Sequence, residues 1–137
     1  MRSVFLDPSV LLLAVGGEYP ARPACRAVVD RAAQGELRLH LSVEGGQEFL
    51  FHRMRRADIS TALAQFDLID RLVVWHAFDV EILRAARALV ATASVRGRDA
   101  VHAATALAGG FTAIISSDAD FDRVPGLARL DPLHDEI

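Results

Sequence analysis

The sequence predicts an α/β protein with a central parallel sheet of four to five strands flanked by helices, on the strength of three observations. Short apolar runs rich in β-branched and aromatic residues alternate with longer helical stretches over the whole chain. No Asn-Gly or comparable hairpin dipeptide joins two of those runs, so neighbouring strands must be connected by crossovers and lie parallel. The 137 residues, 52% hydrophobic and 24% charged, suffice for one compact domain with its own core, expected to span residues 1–137.

The elements follow in order. Ser3 to Leu6 reads as a strand, and Asp7-Pro8 then supplies a helix cap and a first-turn proline. That helix is expected to stop at Gly16-Gly17, and a second one, from about Arg22 to Ala33, at Gly35. Leu37 to Leu41 alternates as a strand does. Ser42 caps a helix carrying Glu44, Glu48, Phe49 and Met54, and Asp58 caps another through Leu72. The run VVWHAF from Val73 is a third strand. A helix from about Asp79 to Ala93 and the loop SVRGR lead to an alanine-rich helix that Asp99 is expected to open and Gly109-Gly110 to end. Ala113 to Ser116 is the fourth strand, with a weaker fifth at Ala128 to Leu130.

Composition removes several function classes. All 15 basic residues are arginine, so there is no Schiff-base lysine and no Walker-type phosphate-binding lysine. A single cysteine, Cys25, excludes internal disulfides and multi-cysteine zinc sites and points to a reducing cytoplasm, with the thiol itself an inert packing group. No apolar stretch approaches the roughly 18 residues of a membrane span. The net charge of −3 gives no global attraction for nucleic acid, so any such contact needs a local patch. Arg53, Arg55 and Arg56, or Arg96 and Arg98, are candidates, each equally readable as a solvated face.

In parallel sheets ligands bind beyond the carboxyl ends of the strands. Asp7 follows the first strand directly, and Asp118 follows the fourth after one serine, in the segment IISSDADFD that also holds Asp120 and Asp122. Each acid has an ordinary use as a cap, a turn residue or a solvated group. Together with Glu48 and Asp99 they form a hard oxygen donor set of the kind Mg²⁺ or Mn²⁺ prefers. His102, one turn beyond Asp99, reads as a packing or supporting histidine rather than a ligand.

These residues carry a resemblance. The chain looks like a PIN domain, and specifically like the VapC ribonuclease toxins of bacterial toxin–antitoxin pairs. The resemblance runs through FLDPS (Asp7 and Ser9), LSVEGGQEF (Glu48), RDAVHAATAL (Asp99) and SSDADF (Asp118, with Asp120 an auxiliary ligand), and covers nearly the whole chain. Gly45-Gly46 and Ser116 depart from the family's usual residues. The resemblance implies a three-layer sandwich and an endoribonuclease whose Mg²⁺ or Mn²⁺ is held by Asp7, Glu48, Asp99 and Asp118, with Ser9 and Ser116 auxiliary. It also implies an RNA substrate, a VapB-like antitoxin and a homodimer. A PIN nuclease of RNA processing without a dedicated antitoxin and a degenerate, non-catalytic binding module are the alternatives. A haloacid-type phosphatase is disfavoured, because Ser9 stands where its Asp-x-Asp motif needs a second Asp.

Overall fold

A computed structural model describes residues 1–137. Strands β1 (Arg2–Phe5), β2 (Leu37–Ser42) and β3 (Val73–His76) form a parallel sheet in the order β1-β2-β3. Strands β4 (Ala113–Ile115) and β5 (Ala128–Leu130) form a second parallel pair. A parallel bridge between Leu6 and Ile115, with the Asp7 N–H donating to the Ile115 carbonyl at 3.0 Å, joins the two ladders at the carboxyl end of β1. The five expected strands are therefore present, divided three and two. The three-residue β4 flanks only the tip of β1 and is too short to extend the first ladder.

Six helices connect the strands: α1 (Pro8–Val15), α2 (Arg22–Ala33), α3 (Val43–Arg56), α4 (Ile59–Asp70), α5 (Val80–Ala93) and α6 (Gly97–Ala108). Apolar positions of α1 to α4, among them Val10, Leu11, Val28, Phe49 and Ile69, bury against Leu39, Leu41 and Val73 on one face of the sheet. On the other face α5 and α6 pack Ile82, Ala86, Val101 and Ala104 around Phe5 and Ile114. This is the expected three-layer arrangement. The small residues Ala100, Ala103 and Ala106 let α6 approach closely enough that none of the three has more than a trace of exposed surface. Cys25 is buried, and burial followed by the charge of Asp131 pushes its thiol up to about 11, consistent with an inert packing role.

Two local details differ from the pattern read in sequence. Asp99 does not open α6. Arg96 takes the extended cap conformation and the helix begins at Gly97, so Asp99 sits within the first turn, near the positive end of the helix dipole. The Gly45-Gly46 pair in α3 has a packing cause. A Cβ on Gly46 would lie 2.7 Å from Trp75 Cζ3, so only glycine lets α3 rest on that indole. Trp75 is in turn fixed by stacking on Phe66, with centroids 6.1 Å apart, and by donating its Nε1–H to Asp70 at 2.7 Å.

Candidate functional site

Because β1 pairs with β2 on one side and meets β4 on the other, the chain connections diverge around the carboxyl end of β1 and open a crevice there. Asp7 stands at that point, with only 5% of its surface exposed. It occupies the cap position of α1 yet makes no side-chain cap hydrogen bond. Its Oδ2 instead accepts two hydroxyls, from Ser9 at 2.5 Å and from Ser116 at 2.8 Å. Ser116 Oγ also accepts the Asp118 N–H at 3.0 Å, so one buried serine ties the end of β4 to the end of β1. Burial pushes the Asp7 carboxyl up, against the hydrogen bond from Ser9 and the field of His102, which pull it down.

Asp99 is the hub. Its carboxylate groups within 4.8 Å with Asp7 and His102 and, in a second set of the same tightness, with Asp118 and Asp120. Burial, and then the charges of Asp7 and Asp118, push its carboxyl up to about 7. Asp118 also caps a short 3-10 helix (Ala119–Arg123) by accepting the Asp120 N–H at 2.9 Å, so the turn role and the clustering coincide in one side chain. Asp122 is directed elsewhere, to Arg129 at 2.9 Å.

Glu48 stands on the flank of the cluster, outside both tight sets. Its carboxylate faces two donors from α6, Arg98 and His102, each at 3.4 Å. Burial raises its pKa, but the hydrogen bond and charge of His102, and then Arg98, outweigh that and leave it lowered. Glu44, one turn earlier on α3, lies in the first turn beside the Ser42 cap. The sequence reading placed Ser42 only as a cap, yet its Oγ lies 2.8 Å from His102 Nδ1. The serine and the histidine are 60 residues apart, and no local pattern announces such a pair.

The profile of the PIN domain family matches residues 4–127. The chain belongs to the PIN domain family. Among curated relatives of this PIN domain, Ribonuclease VapC7 of Mycobacterium tuberculosis is 29% identical over 136 residues, covering 94% of this chain and 91% of that protein. Ribonuclease VapC13 of the same organism is 30% identical over 132 residues, covering 93% and 98%. The fold is shared with VapBC2 from Rickettsia felis bound to a DNA fragment from its promoter, at a TM-score of 0.74 and 12% identity over 95% of this chain and 98% of that one. It is also shared with VapBC-1 from nontypeable Haemophilus influenzae, at a TM-score of 0.70 and 15% identity over 96% and 98%.

The donor set of this PIN domain fits a hard divalent cation. Four carboxylates and no thiolate gather around Asp99, with Glu48 on their flank, and burial followed by the charges of Asp7 and Asp118 pushes the Asp99 carboxyl up to about 7, a repulsion among the acids that a cation relieves. No helix is long and apolar enough to cross a membrane.

Proposed function

We propose that the chain is the toxin of a toxin–antitoxin pair, a single PIN-like domain over residues 1–137 that hydrolyses RNA phosphodiester bonds with Mg²⁺ or Mn²⁺. The cation would be held by Asp7, Glu48, Asp99 and Asp118, with Asp120 as an auxiliary ligand. The observation that carries this reading is the junction at Asp99, where two acidic sets share one carboxylate that burial, and then the charges of Asp7 and Asp118, push up to about 7.

An RNA phosphate is itself anionic and would be repelled by this crevice, so a cation between carboxylates and phosphate is an electrostatic requirement. When bound, the cation supplies Lewis-acid charge to a phosphate oxygen and lowers the pKa of a bound water. The chain's part is orientation. Ser9 and Ser116 fix Asp7 through Oδ2, and no hydrogen bond engages its Oδ1. Hydrolysis adds water across a phosphorus–oxygen bond, and Asp7 with the acids of α3, α6 and the loop after β4 would orient the reacting groups through the cation.

Beside the acids, a cleft of about 580 Å³ runs between α1 and α3, lined by Ser9, Tyr19, His52, Arg53, Arg56 and Ser117 among others. Arg53 and Arg56 form no ion pair with any carboxylate of this chain, which leaves their charge available to an RNA backbone; Arg53 hydrogen-bonds Gln65. The proteins that share this fold include VapBC2 from Rickettsia felis and a toxin–antitoxin complex from Klebsiella pneumoniae. They support a VapB-like antitoxin as partner, and we extend the reading to an antitoxin that covers the acidic crevice and to a cytoplasmic homodimer.

Purified protein should cleave RNA only with added Mg²⁺ or Mn²⁺ and lose activity in chelator. Cleavage undiminished by excess chelator, with the Asp99→Asn protein inert as a contamination control, would overturn the metal-dependent mechanism. Expression should arrest growth, and a co-expressed antitoxin should relieve the arrest.

A further inference from the structure

We infer that His102 is a positioning residue that fixes Glu48 through an Nε2–H donor, while Ser42 locks its other ring nitrogen. The inference rests on the metal-site reading above and concerns how the α3 acid is held beside the other carboxylates.

His102 is 1% exposed, so both ring nitrogens need partners inside the protein. Nδ1 meets Ser42 Oγ at 2.8 Å. That oxygen already accepts the Gly45 N–H at 2.9 Å, as the cap of α3. The serine's own proton has no other acceptor, so it is used only if it is donated to Nδ1. In the neutral imidazole the ring proton then sits on Nε2, and the imidazolium carries one there too, so the Nε2–H donor is present in both forms. Glu48 Oε2 lies 3.4 Å from Nε2, and the carboxylates of Asp7 and Asp99 group with the imidazole within 4.8 Å. A donor pointed at these acids is favoured by their charge, whereas a lone pair would be repelled by it.

The contact with Glu48 falls outside in-line hydrogen-bond geometry, and Nε2 is otherwise without a partner. Such bonds commonly run long in an unliganded site and tighten in the working complex. The consequence is mechanical. Arg98 and His102 are four residues apart on α6 and address different oxygens of the same carboxylate, Oε1 and Oε2. Ser42 anchors the start of α3 to the same imidazole, so one ring clamps both ends of the Ser42–Glu48 segment. Each Glu48 oxygen keeps a further lone pair for a cation. A histidine carrying its proton on Nε2 cannot itself be a ligand through that atom.

The metal-free protein gives the first test. Long-range ¹H–¹⁵N correlation spectra of the imidazole should show the Nε2–H tautomer for His102, and an Nδ1–H tautomer would overturn the inference. The second test uses Mn²⁺ alone, titrated by calorimetry and followed by pulsed paramagnetic resonance. His102→Leu should remain folded by circular dichroism and bind Mn²⁺ about 10- to 100-fold more weakly. His102→Gln, whose amide N–H can replace Nε2–H, should recover most of that loss. Unchanged Mn²⁺ affinity in folded His102→Leu, or a directly bonded ¹⁴N coupling in the wild type, would reduce His102 to a packing residue or a ligand respectively and so overturn positioning. A wild type that binds no Mn²⁺ would instead remove the metal-site reading and this inference with it, an outcome separable from the tautomer result.

Discussion

Two pairs of aspartates at helix starts meet opposite fates. Asp58 and Asp79 cap α4 and α5 by accepting the N–H of Thr61 at 2.8 Å and of Ile82 at 2.9 Å. The Thr61 N–H, and then its hydroxyl, hold the Asp58 carboxyl below its usual range. Asp7 and Asp99 also lie at the starts of helices, α1 and α6, yet neither accepts a backbone cap bond there, and both carboxyls are raised. A surface cap gains from ionisation because donors point at it. A carboxylate beside other carboxylates in a crevice loses from ionisation unless a cation joins it. The contrast separates acids that serve the fold from acids that the fold carries at a cost.

The largest expected effect falls on the crevice. Asp99→Asn should lower cleavage by more than about a hundredfold, beyond the loss typical of a supporting residue, while raising the melting temperature of the metal-free protein. Matched cleavage and melting assays read both. Glu48→Gln should likewise abolish cleavage in a folded protein, whereas a fully active Glu48→Gln would remove α3 from the site.

The pH dependence sharpens the same contrast. Asp99 binds its proton more tightly when folded, about 7 against 3.8, so its ionisation costs stability progressively as pH rises from about 4 to about 7. Metal-free protein should therefore lose thermal stability over that window through this residue, Asp99→Asn should flatten the slope, and added Mn²⁺ should restore stability above it. Glu48 runs the other way. Its lowered value contributes stability above the unfolded value near 4.5 that is lost as pH falls through the folded one.

Smaller effects belong to the caps. Asp79→Ala should cost about 1 kcal/mol in denaturant unfolding and leave cleavage per folded molecule unchanged. Glu44→Gln, in the first turn of α3, should cost only about 0.3 to 1 kcal/mol with near-normal cleavage. If Glu44→Gln were inactive and Glu48→Gln active, the register of α3 toward the crevice would be reversed.

The sequence by itself determined the element order, the parallel connectivity and the location of Asp7 and Asp118 at strand ends, because these follow from local periodicity, caps and the absence of hairpin turns. It also supplied the acidic set through the family resemblance. It could not show that Asp99 lies inside a helix turn, since the start of α6 depends on the conformation of Arg96 and Gly97. Nor could it explain Gly46 of α3, whose missing side chain answers Trp75 on β3. Only the tertiary structure decided that Asp99 joins two clusters, that Asp122 pairs with Arg129 instead, and that Ser42, His102 and Glu48 form one clamp. Charge proximity and buried hydrogen bonding depend on distances between segments far apart in the chain, and those distances are set by how the layers pack.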